Sequence, residues 1–235
     1  MAKQYLGNGK LLFGKGGDHL HNKDTYDFER KNKSSKLEYI EWDDLWYQAA
    51  DNTKMRRVLC IGDSISRGTR PFLNLILNAK NTVVDGLATS KAVDNEFLIP
   101  LIDYAIAQQP SCCNILIGLG AHGFHIPAEQ FGKGYSDVVE HISNNYPGKK
   151  LILSTIIPIR NSDNTCELSP KNDIVCGRNA QIKNIASRYK LPVFDIYEFL
   201  IKRRDLAELS QADGVHFTDE GYKLLAKAAA EVIDL

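Results

Sequence analysis

Short apolar runs alternate with amphipathic stretches along the chain from about residue 57 onward. Several of these runs are apolar almost throughout, as expected for strands that helices cover on both faces. The runs predict five strands, at Arg57–Ile61, Thr82–Val84, Asn114–Gly118, Leu151–Ile157 and Pro192–Phe194. The amphipathic stretches predict helices near 70–80, 95–109, 128–146, 177–190 and 218–233.

Alternation of strands and helices predicts a three-layer α/β/α sandwich with a five-stranded parallel sheet. Because crossovers between parallel strands are right-handed, the C-terminal ends of these strands should lie at one edge of the sheet. Open α/β sheets bind their ligands at that edge. Side chains that follow the strands are therefore the first candidates for function.

The first fifty residues follow a different pattern. Residues 1–36 are rich in Gly, Lys, Asn and Asp and indicate a loop or a weakly ordered arm. Residues 37–50, LEYIEWDDLWYQAA, carry aromatic and aliphatic side chains at mixed three- and four-residue spacing. This spacing favours a helix packed on the main domain over an exposed recognition surface. We therefore expect an N-terminal extension over 1–50 and one main domain over 51–235.

Composition is close to that of an average globular protein, with 43% hydrophobic and 25% charged residues among 235. The 29 Lys and Arg balance the 29 Asp and Glu, so the net charge offers no strong attraction for nucleic acid or an anionic membrane. No apolar run approaches the length of a membrane span, and the N-terminal residues lack the apolar stretch of a secretory signal. We expect a cytoplasmic protein, or a secreted one if a signal precedes this sequence.

The five cysteines divide into two groups. Cys60, Cys112 and Cys113 lie in or beside apolar runs and should pack as small hydrophobic side chains. Cys166 and Cys176 bracket a polar loop and could form a disulfide in an oxidising compartment. Their spacing is not that of a zinc site, and we favour thiols over a disulfide.

A serine follows the first predicted strand, in RVLCIGDSISRG (57–68). At this position Ser64 would lie at the ligand edge of the sheet, beside the start of a helix. Either Asp63 or Ser64 could simply cap that helix, which both residue types do well. Alternatively, Ser64 is a nucleophile, which would require an adjacent base that a third group orients.

The candidate base is His216, in ADGVHFTDEGY (212–222). Asp213 precedes it by three residues, so the carboxylate can fold back onto one ring nitrogen and leave the other as a base. Thr218 is a good N-cap for the final helix. The Asp-x-x-His pattern also occurs in ordinary turns. Here it is predicted at the same sheet edge as Ser64, and this combination favours a catalytic role.

These two segments resemble the first and last blocks of the SGNH hydrolases, also called GDSL esterases and lipases. The text IGDSIS (61–66) is similar to the first block and DGVHFTDEGY (213–222) to the last, with RN (178–179) among the weaker similarities between them. The likeness covers about residues 55–233. It implies a flavodoxin-like sandwich and ester hydrolysis or acyl transfer through an acyl-serine. By position it implies Ser64 as nucleophile, His216 as base and then acid, and Asp213 as the orienting carboxylate.

Two middle blocks depart from the family pattern, and both concern the oxyanion hole. The family uses the N–H of the serine, a glycine N–H after the second strand and an asparagine side chain after the third. In VVDGLATSKA (83–92) Ser90 stands at the glycine, and in LGAHG (119–123) His122 stands at the asparagine. The resemblance thus implies an oxyanion hole of Ser64, Ser90 and His122. Alternatively, His122 only forms hydrogen bonds within the site, or the oxyanion hole is impaired.

Three further features lie near the predicted site. Arg67 follows the serine on the first turn of its helix and could hold a substrate oxygen, or be a surface arginine. His125 could line the pocket or lie on the surface. The loop 160–177 is long for an α/β connection and could form a wall or lid.

The sequence therefore predicts a serine esterase that removes a small acyl group, of the acetyl type, from a small-molecule or carbohydrate ester. Two alternatives remain: an acyltransferase with the same three residues, and a non-catalytic carbohydrate-binding module on the same scaffold. No cofactor is implied. No metal is implied either, because the close pair His122 and His125 has no carboxylate beside it to complete a ligand set.

Overall fold

The predicted parallel sheet is present, and it carries one strand more than the sequence indicated. A computed structural model of the chain describes residues 37–162 and 166–233. The sheet has the strand order β1-β3-β2-β4-β5-β6. The strands are β1 Asp43–Trp46, β2 Arg56–Gly62, β3 Thr82–Thr89, β4 Asn114–Gly118, β5 Lys150–Ser154 and β6 Val193–Phe194. The pairs from β3 to β6 are parallel, as predicted.

Helices connect the parallel strands. They are α1 Ser64–Asn78, α2 Leu98–Gln108, α3 Ala128–Asn145, α4 Asn172–Tyr189, α5 Ile196–Ile201, α6 Leu206–Leu209 and α7 Asp219–Ile233. The sequence located α2, α3 and α7 to within three residues. It placed the starts of α1 and α4 about one turn or more too late.

Two apolar clusters, one on each face of the sheet, make the three layers. Along β2, Leu59 and Ile61 pack in the cluster that includes side chains of α2, α3 and α4. The intervening Val58 and Cys60 pack in the cluster that includes α1 and α7. Side chains alternate across a strand, so β2 contributes to both clusters and lies at the centre of the core.

The prediction of a helix over 37–50 is wrong. This segment forms β1, which pairs antiparallel with β3 in the register Asp43↔Thr89 to Trp46↔Gly86. The aromatic spacing did not mark a buried helical face, because Trp46 is 48% exposed and Ile40 39% exposed. Pairing with β3 satisfies backbone groups that an uncovered edge would leave open. The predicted arm over 1–36 lies outside the described residues.

The cysteines follow the sequence prediction with one exception. All five carry thiols in the structure, and Cys60 and Cys112 are buried. Cys113, expected in the core, is exposed, because it lies just before β4 begins. None of the described helices is long and apolar enough to cross a membrane.

Candidate active site

Ser64 is the first residue of α1 and directly follows the turn that ends β2. The turn is tight at Gly62, where an added Cβ would lie 2.0 Å from Ser66 Oγ and 2.9 Å from the carbonyl oxygen of Gly118. Glycine therefore lets the helix begin close to the sheet. As the first helical residue, Ser64 has a backbone N–H with no acceptor within the helix.

Asp63, not Ser64, caps the helix. Its Oδ1 accepts the N–H of Ile65 at 2.9 Å, and its Oδ2 accepts the N–H of Ala121 at 3.2 Å. The same carboxyl group thus ties the serine turn to the loop after β4. Burial raises the pKa of Asp63, although the charge of His122 and the two backbone hydrogen bonds act in the opposite direction. The cap leaves the Ser64 hydroxyl available for another contact.

That contact is with His216. Its Nε2 lies 2.8 Å from Ser64 Oγ, and its Nδ1 lies 2.9 Å from Asp213 Oδ2. Asp213 Oδ1 also accepts the backbone N–H groups of Val215 and His216, each at 2.8 Å. The three predicted residues therefore come together, in the order carboxylate, imidazole and hydroxyl.

Asp213 is held ionised by these contacts. Burial acts to raise the pKa of Asp213, but the hydrogen bond and charge of His216, with the two backbone N–H groups, outweigh it and leave the pKa below its ordinary value. An ionised carboxylate can only accept, so Nδ1 of His216 carries a proton. In the neutral ring Nε2 is then the acceptor for the Ser64 hydroxyl.

The loop after β5 supports the turn that carries Asp213 and His216. The N–H of Arg160 donates to the carbonyl of Gly214 at 2.7 Å. Gly214 has φ of +75°, and a Cβ there would lie 2.3 Å from the Arg160 carbonyl oxygen, so this close approach requires glycine. The connection is shorter than the predicted 160–177 loop, because α4 already begins at Asn172. Its role as a wall or lid stays a prediction.

Ser90 does not offer its backbone N–H to this site. That N–H donates to the carbonyl of Trp42 at 3.0 Å, which continues the pairing of β1 with β3. Its hydroxyl accepts the N–H of Trp42 at 2.9 Å and lies 3.0 Å from Glu41 Oε2. Ser90 is fully buried. The sequence-based expectation that it serves the oxyanion hole fails here, because the segment before β1 already takes its N–H.

His122 lies on the loop after β4 and contacts a residue that the sequence analysis missed. Its Nδ1 is 2.9 Å from Glu38 Oε2, and Glu38 Oε1 accepts the N–H of Gly123 at 2.7 Å. Both side chains are buried, with 4% and 3% exposed. The indole of Trp42 packs edge-on against the imidazole, with ring centroids 6.1 Å apart. No local pattern could have paired Glu38 with a histidine 84 positions away.

Arg178 holds the same loop from the opposite side. Its guanidinium donates to the carbonyls of Gly120 and His122, each at 2.8 Å, and to that of Ile126 at 3.1 Å. It also donates to the carbonyl of Gly123. The guanidinium is fully buried and lies over the ring of Phe131. The RN text at 178–179 was the available signal, but it did not reveal this contact.

The remaining predicted residues, Arg67 and His125, each contact a carboxylate. Arg67 forms an ion pair with Asp44, Nε to Oδ2 at 2.5 Å, and its guanidinium lies 5.9 Å from the centre of the Trp42 ring. His125 is 28% exposed, and its Nε2 lies 3.3 Å from Asp94 Oδ2. Whether either contacts substrate stays a prediction. Among residues 37–162 and 166–233, no three His, Cys, Asp or Glu side chains form a group that could hold a metal ion.

Comparison with known proteins agrees with this fold. A sequence profile of the GDSL-like lipase/acylhydrolase family matches residues 60–224. A GDSL-like lipase from Bacteroides thetaiotaomicron superposes with a TM-score of 0.62 at 17% identity, over 80% of this chain and 92% of that chain. No protein with a curated description matches the sequence significantly.

Two other structural neighbours are esterases by name. An acetyl xylan esterase superposes with a TM-score of 0.60 at 16% identity, over 75% of this chain and 99% of that one. A mutant of an acetyl-xylooligosaccharide esterase from Geobacillus has a TM-score of 0.58 at 17% identity, over 77% of this chain and 94% of that one. Similarity at this level of identity establishes the fold.

Proposed function

This chain belongs to the GDSL-like lipase/acylhydrolase family, and we propose that it removes small acyl groups, of the acetyl type, from carbohydrate esters through an acyl-serine intermediate. The observation that carries the proposal is the continuous contact from Asp213 through His216 to Ser64, at 2.9 and 2.8 Å. A serine hydroxyl becomes an effective nucleophile when an oriented base accepts its proton.

In the first half of the reaction, Ser64 Oγ attacks the ester carbonyl carbon and His216 Nε2 takes the hydroxyl proton. The tetrahedral intermediate collapses as the bond to the alcohol oxygen breaks, and His216 returns the proton to that oxygen. The products are the free alcohol and acyl-Ser64. Asp213 keeps the ring oriented and stabilises the imidazolium while it holds the proton.

In the second half, water attacks the acyl carbon. His216 takes a proton from the water, the bond to Ser64 Oγ breaks, and the proton passes to the serine. The carboxylic acid leaves and the starting enzyme is restored. The sequence of steps uses only side chains and water.

Negative charge on the carbonyl oxygen requires donors. We assign this role to the backbone N–H of Ser64 and to the ring of His122. Ser90 is not included, because its N–H already donates to Trp42. The hole therefore depends more heavily on His122 than the family pattern implies.

Two observations support a carbohydrate substrate: the contact between two side chains near Ser64, and the names of two structural neighbours. Trp42 and Arg67 lie beside one another, and an aromatic ring with a nearby guanidinium suits a sugar, which has apolar faces and many oxygens. Two structural neighbours act on acetylated xylan or its oligosaccharides by name.

The test compares wild type, Ser64→Ala and the control Ser187→Ala, which alters an exposed serine of α4. Substrates are p-nitrophenyl acetate, p-nitrophenyl butyrate and acetylated xylo-oligosaccharides, and a fluorophosphonate probe reports the nucleophile. We expect wild type and the control to release acetate and to be labelled, with acetate esters preferred. Ser64→Ala should neither release acetate nor be labelled by the probe.

Equal turnover in wild type and Ser64→Ala would overturn the proposal. Absence of both labelling and turnover in wild type, with retained carbohydrate binding, would instead identify a binding module. Product formation that requires an added alcohol acceptor would identify an acyltransferase.

A further inference from the structure

The chain has two tryptophans, and both contact arginines of α1. The guanidinium carbon of Arg67 lies 5.9 Å from the centre of the Trp42 ring, and that of Arg70 lies 5.0 Å from the centre of the Trp46 ring. Between the tryptophans, Asp44 forms an ion pair with Arg67 at 2.5 Å. We call these five residues the Trp–Arg surface.

This surface begins close to the candidate nucleophile. Ser64 is the first residue of α1, and Arg67 and Arg70 follow at three-residue spacing, which places them on one face of the helix. Because a helix rises 1.5 Å per residue, the two arginines lie about 4.5 and 9 Å beyond Ser64 along the helix axis. The row of contacts therefore leads away from Ser64 along α1.

The edge strand β1 runs beside α1 in the same direction. Trp42, Asp44 and Trp46 are alternate residues of an extended segment, so their side chains share one face. The carbonyl of Trp42 accepts the N–H of Ser90, just after the C-terminal end of β3, whereas Trp46 pairs with Gly86 further from that end. Four residues of strand span about 13 Å, which is longer than a single sugar ring.

Gly86 makes room for the outer of the two Trp–Arg contacts. A Cβ at this position would lie 2.6 Å from Arg70 Cδ, so the arginine side chain passes close over the backbone of β3 to reach the indole of Trp46. The indole N–H donates to Gln48 Oε1 at 3.0 Å. The ring is thus held in place by two contacts, yet Trp46 remains 48% exposed.

The chemistry of the surface suits an uncharged sugar chain. Indole rings can pack against the apolar faces of sugar rings, while guanidinium and carboxylate groups donate to and accept from hydroxyl groups. The side chains of Arg67 and Asp44 are 45% and 32% exposed, so both can contact a ligand. Because their opposite charges are paired, and the chain has no net charge, the surface offers little attraction for a polyanion.

We propose that the Trp–Arg surface binds the uncharged oligosaccharide that carries the ester, with the acylated sugar at Ser64 and the adjoining sugars along β1 and α1. This inference rests on the proposed esterase function and narrows its substrate from a carbohydrate ester to a chain of several sugars. Both tryptophans precede residues 60–224, which match the family. The preference for a chain therefore comes from the strand added at the edge of the sheet.

The first test compares substrates of different chain length. For each protein, acetate release gives the ratio of kcat/KM on acetylated xylohexaose to kcat/KM on acetylated xylose. We expect a ratio of at least about ten for wild type and a ratio about five- to tenfold lower for Trp46→Ala, since one aromatic contact is removed. Both substrates present an acetyl ester to Ser64, so the ratio cancels general effects on folding and on the reaction. Tyr104→Ala is the matched control, because Tyr104 is an exposed aromatic residue of α2 in the opposite layer, and it should keep the wild-type ratio.

The second test needs no change at Trp46. Because both tryptophans of the chain belong to the Trp–Arg surface, intrinsic fluorescence reports binding there directly. Ser64→Ala, which cannot turn over, is titrated with acetylated xylohexaose and with acetylated xylose. The hexaose should change the emission at a concentration at least about tenfold lower than the monosaccharide requires. Trp42→Phe in the same background leaves Trp46 as the reporter, and its emission should still respond.

A wild-type ratio near one, a ratio that Trp46→Ala leaves unchanged, or a titration that does not alter tryptophan emission overturns the proposal. A response only to an acidic chain such as oligogalacturonate, lost at high salt, would overturn the assignment of an uncharged ligand. Failure of the esterase function is a separate outcome: wild type would then not be labelled at Ser64, while the titration of Ser64→Ala would still report sugar binding.

Discussion

The carboxylate of Glu38 meets the ring of His122 at 2.9 Å, although the two residues are 84 positions apart. Four positions after Glu38, Trp42 binds Ser90 through both backbone groups. The two positions where this chain departs from the family pattern, Ser90 and His122, are therefore both contacted by the segment before β1. Ser90, His122 and the segment before β1 thus form one structural unit.

Asp213→Asn should reduce kcat for p-nitrophenyl acetate by about 10³–10⁴, with a much smaller change in KM. The amide would donate to Nδ1 of His216 or fail to fix its tautomer, so Nε2 could no longer accept the Ser64 proton. Steady-state kinetics measures this effect. A loss below tenfold would show that His216 does not depend on Asp213.

The same variant should be less stable than wild type only at higher pH. The pKa of Asp213 is lowered in the fold, so its ionised form stabilises the protein above the ordinary value of 3.8, and this contribution is lost as pH falls through the lower folded pKa. Urea unfolding of wild type and Asp213→Asn at pH 7 and near pH 3 provides the measurement. A stability difference that widens as pH falls would contradict this sign.

Arg178→Lys should reduce the free energy of unfolding by about 3 kcal/mol, since an ammonium group cannot satisfy the buried carbonyls that the planar guanidinium binds. The control is Arg188→Lys, an exposed arginine on the same helix, which should change stability by less than about 0.5 kcal/mol. Chemical denaturation measures both. Equal effects would show that the contacts of Arg178 with the loop are not stabilising.

Arg67→Ala should raise KM for acetylated xylo-oligosaccharides several-fold and leave p-nitrophenyl acetate turnover nearly unchanged. Arg67 lies three residues after Ser64 on α1, beside Trp42, where the small aryl ester need not reach. Kinetics on the two substrates tests this, with Arg188→Ala as the control. An equal loss on both substrates would place the role of Arg67 at the reacting centre instead.

Three of the five thiols should react quickly with Ellman's reagent in the native protein. Cys113, Cys166 and Cys176 are exposed, whereas Cys60 and Cys112 are buried. Burial raises the pKa of both Cys60 and Cys112 to about 12, which suppresses the reactive thiolate. Titration before and after denaturation should give three and then five equivalents. Five rapid equivalents in the native state would refute this burial pattern.

The local sequence was sufficient to predict the parallel sheet and the residues at its edge. Apolar runs predict which segments become central strands, because a strand covered on both faces carries mainly apolar side chains. The contact of Asp213 with His216 lies within three residues, so spacing alone could predict it. Whether Asp63 or Ser64 caps α1 could not be decided locally, because both are good capping residues.

The tertiary structure decided the features that depend on distant segments. The segment 37–50 forms a strand because an edge of β3 is available to pair with it, which no local preference encodes. That pairing takes the N–H of Ser90 and brings Glu38 to His122. The sequence by itself determined the five parallel strands and the contact order of Ser64, His216 and Asp213. Only folding determined which groups surround them, because hydrogen bonding and burial depend on the residues that meet in space.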